Sequence, residues 1–273
     1  MISGCESAFI IMSKLKSIEE NFFSVGRYWG SLNSSLVRIG CLRAMHTGVP
    51  ISDFNWAWNE KPLTGQDAAF VENVKNYYKQ NNLRFWWWVY PRGNSAHTSS
   101  TLENAGMKLI AHIPCMAADL DIKALDEKMP AQITMTEVKD GINLLLWADI
   151  SFRGFHMSER VREQYNAFVL SFGRGAPSTQ KLFIACMDGK PAATSLLFMN
   201  SGTAGIYYVS TLPEYRNKGL GFYVTLAAMR AAKDAGYGEV ILQATPDGEK
   251  VYRRIGFIEY CKAQVYKPDR FKN

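Results

Sequence analysis

Between Val209 and Phe257 the chain reads VSTLPEYRNKGLGFYVTLAAMRAAKDAGYGEVILQATPDGEKVYRRIGF. The glycines of Arg216-Asn217-Lys218-Gly219-Leu220-Gly221 can adopt backbone angles that other residues avoid, and they offer no Cβ to an approaching ligand. Successive N–H groups can then converge on one point and bind an anion. A helix expected from about Gly221 adds unpaired N–H donors and the positive end of its dipole. Together these features predict a pyrophosphate site, with Arg216 and Lys218 adding charge at its rim. Taken alone, R-x-x-G-x-G is better read as a surface loop. It is not a P-loop, because the Gly-Lys-Ser/Thr ending is missing. Nor does it suit a dinucleotide site, which needs glycine directly after the strand; here Pro213, Glu214 and Tyr215 come first.

The second half of the stretch decides between these readings. Val251-Tyr252-Arg253-Arg254-Ile255-Gly256-Phe257 follows the next apolar strand. The full combination resembles the acetyl-CoA site of the GNAT superfamily of N-acetyltransferases. In that family the R/Q-x-x-G-x-G/A turn grips the CoA pyrophosphate. The strand before it pairs its backbone with the pantetheine arm, and the tyrosine of a Y-x-x-x-G-F element sits beside the thioester sulfur. The resemblance therefore implies acetyl-CoA as cosubstrate. Its implied contacts are Val209, Ser210 and Thr211 on the strand, then Arg216, Asn217, Lys218, Gly219, Leu220, Gly221 and Phe222 on the turn and helix start. Thr245 stands where the family often carries an asparagine, and a threonine can still hydrogen-bond the pantetheine. Tyr252 becomes the candidate catalytic acid. A thiol titrates near ~8.5 and a phenol near ~10, so a positioned phenol can donate to a departing thiolate. Backbone N–H groups of the strand can polarise the thioester carbonyl. Outside this context Tyr252 would be a packed aromatic on a short amphipathic helix.

The composition bounds the remaining options. The 273 residues suffice for one large domain or two of moderate size. With 47% hydrophobic and 21% charged residues, the chain reads as an ordinary globular protein. No apolar run approaches the ~20 residues of a membrane span. Ala8 to Met12 is too short and wrongly flanked for a signal peptide. The expectation is a cytoplasmic protein without a membrane partner. The net charge of +6 comes without a long Lys/Arg run interleaved with aromatics, so nucleic acid is not an expected partner. A mild basic balance does suit a phosphate-rich ligand. The cysteines (Cys5, Cys41, Cys115, Cys186, Cys261) are scattered and form no C-x-x-C, and the histidines are equally dispersed. Neither a disulfide framework nor a metal site is expected.

The elements that would position the site fall in the second part of the chain. Asp121 to Met129 is charged, and Pro130 interrupts it; a boundary there predicts domains at 1–125 and 130–273. After it come a strand at Ala131–Val138, a helix around Leu144–Trp147 and a helix at Ser158–Leu170 with Ser158 as N-cap. Strands at Lys181–Met187 and Ala192–Met199 flank an Asp188-Gly189 hairpin turn. Strand Ala204–Thr211 leads into the glycine turn and its Ala-rich helix. This order matches the GNAT fold, an α/β (α+β) architecture with a mixed, mostly antiparallel sheet flanked by helices. In that family the sheet is splayed between its two central strands, where the cofactor enters.

The first part is expected to be a degenerate GNAT-like half, giving two such domains in tandem. Helices are predicted at Ser17–Trp29, Gly65–Gln80 and Thr98–Ala105. A Trp-rich strand is predicted at Leu83–Tyr90, and closing strands at Lys108–Leu120. Leu102 stands where the tyrosine of Y-x-x-x-G-F would be, and no R-x-x-G-x-G turn precedes it. Six tryptophans lie in the first 90 residues, and core packing accounts for them better than an acceptor pocket does. On a strand, Trp87 must face away from Trp86 and Trp88.

The resemblance implies an acetyl-CoA-dependent N-acetyltransferase acting on a small-molecule amine, as a monomer or homodimer. A polypeptide amine acceptor, or a non-catalytic CoA-binding module, are the alternatives. The base that neutralises the amine is not assigned: Glu214, Asp247 and His156 are candidates. Asp247 is equally explained as a helix cap.

Overall fold

The computed structural model describes residues 4–175, 179–200 and 202–269. In chain order the helices and strands are α1 (Gly4–Leu32), β1 (Val37–Ile39), β2 (Leu42–Met45), β3 (Trp56–Asn59), α2 (Ala68–Gln80), β4 (Trp86–Val89), α3 (Ala96–Asn104), β5 (Met107–Asp119), β6 (Ile133–Glu137), α4 (Gly141–Gly154), α5 (Arg162–Ser171), β7 (Gln180–Met187), β8 (Lys190–Asn200), β9 (Thr203–Thr211), α6 (Leu220–Asp234), β10 (Glu239–Gln243), α7 (Pro246–Ile255) and β11 (Ile258–Pro268). The closing strands expected at Lys108–Leu120 are one strand, β5, which runs through Pro114 without a turn. Ser158 does cap a helix start, but of a single 3-10 turn ahead of α5.

Contacts group the chain into two compact units that interleave in sequence. The larger unit joins the described residues through Ser24 with Cys115–Tyr260; the smaller joins Val25–Pro114 with the described residues from Cys261 onward. This is not the linear division at 125 and 130 expected above. The first part of α1 belongs with the larger unit for a physical reason. Asn21 donates its amide to the Thr203 carbonyl at 3.0 Å and accepts from the Tyr207 hydroxyl at 2.8 Å. Lys14 pairs with Glu239 at 2.6 Å and with Asp119. Gly205 makes the approach of α1 possible, since a Cβ there would overlap the Asn21 side chain. Such long-range polar contacts leave no periodic signal in sequence.

In the larger unit the strand order is β5-β10-β9-β8-β7-β6. All neighbours are antiparallel except β9 and β10. The β7–β8 hairpin turns on Asp188 and Gly189, at φ 51° and 76°, as a two-residue turn matched to strand twist requires. One face is covered by α6 and α7, whose Leu220, Val224, Met229 and Tyr252 join Ile206, Val240 and Leu242 in one core. Val224 and Thr225 disfavour helix by a few tenths of a kcal/mol each. Burying Val224, Leu226 and Met229 contributes roughly 1.5–3 kcal/mol per side chain, so packing on the sheet decides the helix.

The register between β9 and β10 covers Val240↔Ala204 and Ile241↔Gly205. Past that point the two strands part, while β10 stays paired with β5 through Gln243↔Cys115. The opening is therefore confined to the two central strands.

In the smaller unit the order is β1-β2-β3-β4-β11, with β3 and β4 parallel. Trp87 is buried in a core with Leu42, Val71 and Tyr78 and donates its indole N–H to Asn59 Oδ1 at 3.0 Å. Trp86 and Trp88 meet edge-on at 6.2 Å on the other face, as strand alternation requires.

Candidate active site

The glycine turn closes with two left-handed residues, Asn217 at φ 61° and Gly219 at φ 83°. Gly219 is the N-cap of α6 and supplies no side-chain cap. Among the described residues, the backbone N–H groups of Asn217 through Phe222 donate to no protein acceptor; the first bond into the helix is Tyr223 N–H to the Gly219 carbonyl. Gly219 is needed for its positive φ. Gly221 is not: its φ is ordinary, and a Cβ there would meet only Thr211 Oγ1, at 3.8 Å. Packing leaves room in front of Gly221, next to a row of open donors. An anion there would take several charge-assisted hydrogen bonds, at about 1.5–3 kcal/mol each. These outweigh the 0.3–1 kcal/mol expected from the helix dipole alone.

The charged rim differs from the expectation. Arg216 does not point freely outward. Its Nη2 donates to the Gly154 carbonyl at 2.9 Å and its Nε to the Thr211 carbonyl at 3.3 Å, which ties the end of α4 to the end of β9. Lys218 lies over the Tyr215 ring, 5.2 Å from its centroid. Arg216 therefore fixes the shape of the turn, and Lys218 is held at its edge.

Strand β9 carries a bulge that the sequence did not announce. Leu196 pairs with Tyr207 and Thr194 with Ser210, so β9 has one residue more than β8 across this interval. The irregularity sits at Tyr208, at φ 52°. Thr194 Oγ1 donates to its carbonyl at 3.1 Å. A bulge re-aims the groups beside it, and it sorts the predicted contacts by face. Val209 packs on the α6 side, and Thr211 lies below Gly221. Ser210 points the other way, where a Cβ on Gly154 would overlap its hydroxyl. The buried Ser210 Oγ has no hydrogen-bond partner. Gly154 was invisible to motif reading and is required by that close approach.

Tyr252 is buried on α7, edge-on to Phe257 at 5.8 Å. Its ring lies back over Gly248, where a Cβ would come within 2.8 Å of it and 3.2 Å of Thr245 Oγ1. The ring therefore leans toward the start of α7, as helix geometry directs. Its hydroxyl makes no hydrogen bond among the described residues. Burial pushes the phenol well above its ordinary value. Arg254, stacked 4.7 Å over Phe222, holds α7 against the first turn of α6. Thr245, rather than Asp247, is the N-cap of α7: its hydroxyl accepts from Gly248 N–H at 3.2 Å. Its own proton remains available to a ligand.

The base candidates lie apart. Glu214 accepts from Arg153 at 3.1 Å, and with His156 it lines a cleft of about 400 Å³ at the end of α4. Asp247 sits exposed in the first turn of α7. Neither that cleft nor a second of about 320 Å³ between α6 and β6–β7 is lined by Tyr252.

Two observations fit acetyl-CoA: open N–H groups beside an unfilled Gly221, and a neutral phenol without a partner. The pyrophosphate would lie against Asn217–Phe222 and the pantetheine along β9 where it leaves β10.

Residues 143–257 match the model of the acetyltransferase (GNAT) family. No curated protein sequence matches the chain. Among solved structures, a GCN5-related N-acetyltransferase from Kribbella flavida superposes with a TM-score of 0.71 at 18% identity, over 92% of this chain and 95% of that one. A GCN5-related N-acetyltransferase from Sphaerobacter thermophilus gives 0.61 at 16% identity, over 83% and 76%. A tandem GNAT protein from the clavulanic acid biosynthesis pathway gives 0.57 at 14% identity, over 83% and 77%. Residues 143–257 thus match the GNAT acetyltransferase family, and the chain shares the GNAT fold over most of its length.

Proposed function

We propose that the larger unit transfers an acetyl group from acetyl-CoA to the amine of a small molecule. The observation that carries this reading is the run of open backbone donors from Asn217 to Phe222, facing the room that Gly221 leaves. Acetyl-CoA supplies the acetyl group as an activated thioester. Asn217, Gly219, Leu220, Gly221 and Phe222 bind its pyrophosphate through backbone N–H groups, and Lys218 adds charge beside them. Arg216 acts through the turn: it positions these donors by joining Gly154 to Thr211. Val209, Ser210 and Thr211 present backbone groups to the pantetheine, and the Tyr208 bulge re-aims the N–H groups that polarise the thioester carbonyl. Thr245 offers its hydroxyl proton at the start of α7.

Tyr252 acts as donor to the departing sulfur. Its raised pKa keeps it protonated across the working range, so it meets the developing thiolate as a neutral O–H. A thiolate forming in the same apolar surroundings is also a stronger base than in water, which favours taking that proton.

The test is thiol release from acetyl-CoA over a panel of small amines, with Gly221→Asp as control. Amine-dependent release that is lost in the variant supports the reading. Release that survives Gly221→Asp contradicts it, and tight CoA binding without turnover on any amine favours the non-catalytic alternative.

A further inference from the structure

The sheet of the larger unit has two unlike faces where β9 and β10 part. The first is covered by α6 and α7 and holds the proposed cofactor contacts. The second is faced by α4 and the first part of α1, and no motif drew attention to it. The bulge at Tyr208 places two consecutive tyrosines on this second face. Tyr207 reaches Asn21 of α1, while the Tyr208 ring lies 5.5 Å from Trp147 and 5.9 Å from Phe155 of α4. Ser210 points to the same face, against Gly154. On β10, Val240 and Leu242 join the α6 core, so Glu239 and Gln243 project oppositely; Glu239 meets Lys14 of α1 there. Gln243, the last residue of β10, therefore shares this face with Ser210.

Ser210 and Gln243 have something further in common. Ser210 is 95% buried and its Oγ has no partner; the Gln243 Nε2 is also buried and without a partner. Leaving one buried polar group unsatisfied costs about 1–3 kcal/mol. Two such groups flank the same parting on the same face, beside an aromatic wall. Such an arrangement awaits a ligand with oxygen acceptors, since an amide N–H donor is satisfied by oxygen and a hydroxyl can serve either way.

We propose that Ser210 and Gln243 recognise the acceptor, and that the acceptor is an amine carrying a hydroxyl, carbonyl or carboxylate oxygen close to its nitrogen. This rests on the transferase reading above. The α6–α7 face is taken by the cofactor contacts, so the amine approaches the thioester from the second face. Its neighbouring oxygen then satisfies Gln243 Nε2 or Ser210 Oγ, and its carbon skeleton packs on Tyr208 and Phe155, which the buried Trp147 backs.

The experiment compares ethanolamine and glycine with propylamine and ethylamine, at equal concentrations of the neutral amine. Acetyl-CoA affinity is measured separately by calorimetry. The wild-type chain is expected to favour the oxygen-bearing amines at least ~10-fold in kcat/KM. Gln243→Leu should abolish most of that preference with acetyl-CoA affinity within about twofold of wild type, and Ser210→Ala should abolish part of it. Gln243→Glu keeps the side-chain shape and should turn the site specifically against glycine, by roughly tenfold, while ethanolamine is retained. Preference unaltered in all three variants would overturn the proposal. So would loss of acetyl-CoA affinity in step with activity, or turnover of the alkylamines alone, or of no amine at all while acetyl-CoA binds. Failure of the wild type to bind acetyl-CoA would instead overturn the transferase reading, and this inference with it.

Discussion

The two units build a strand, turn, helix and parallel strand with opposite results. In the larger unit β9 enters the glycine turn, α6 follows, and β10 returns beside β9. In the smaller unit β3 enters the turn at Thr64–Asp67, α2 follows, and β4 returns beside β3. The second version is closed. Its parallel strands stay in register over Trp56↔Trp86, Ala57↔Trp87 and Trp58↔Trp88, nearly the whole of β3. Its helix start carries a capping box in which Asp67 accepts from Thr64 N–H and Oγ1, both at 2.8 Å. A carboxylate of the chain itself thus stands at the helix N-terminus, where the larger unit leaves open donors for an anion from outside. Leu102, at the position matching Tyr252, is fully buried in the core of the smaller unit. The order of elements is the same; one side-chain carboxylate, one longer register and one missing phenol distinguish the structural turn from the proposed cofactor site.

That contrast can be broken from either side. The largest effect is expected for Gly221→Asp, which puts a carboxylate of the chain itself in the first turn of α6. Loss of about two charge-assisted hydrogen bonds, roughly 4 kcal/mol, predicts an acetyl-CoA affinity lower by on the order of 10³. Calorimetry checks it, and circular dichroism should show an intact fold because Gly221 has ordinary φ. Tyr252→Phe should lower kcat by on the order of 10² with acetyl-CoA affinity preserved. Because burial raises the Tyr252 pKa above ~10, the phenol stays protonated as pH rises. No alkaline loss of kcat from this group is expected between pH 7 and 9.5, and a pH–rate profile of wild type against variant measures it.

Arg216→Gln tests whether the arginine shapes the turn or contacts phosphate. A positioning role predicts about a tenfold weaker acetyl-CoA affinity together with a lowered Tm, since the Gly154 and Thr211 carbonyls lose their donor. A phosphate contact alone would weaken binding and leave Tm unchanged. The smallest effect belongs to the closed unit. Asp67→Ala removes half of a capping box and should cost about 1 kcal/mol of stability, read by denaturant unfolding. It should open no second acetyl-CoA site, because β3 and β4 remain in register.

What the sequence revealed follows from what is local. The glycine turn, the Asp188-Gly189 hairpin and the Ala-rich helix are each encoded within a few residues, and each appears where expected. The alternation of Trp86, Trp87 and Trp88 was equally legible, because strand geometry leaves it no choice. The features that shape the site beyond the motif are long-range. Gly154 and Ser210 are brought together only by the packing of α4 on β9. Tyr208 takes a left-handed angle that no residue preference foretells, and Gly248 looks like an unremarkable helix residue until the Tyr252 ring lies over it. The grouping of the first part of α1 with the larger unit depends on Asn21 meeting Tyr207, a contact without sequence periodicity. In sequence the side chain of Arg216 looks like free charge, because its acceptors, two backbone carbonyls, carry no signature of their own.

One chain should hold one acetyl-CoA site, at the open turn. Calorimetric titration of acetyl-CoA into wild type, Gly221→Asp and Asp67→Ala tests it directly. One equivalent should bind to wild type and to Asp67→Ala, with no measurable binding to Gly221→Asp at the same concentrations. Two equivalents on wild type, or binding that persists in Gly221→Asp, would contradict it.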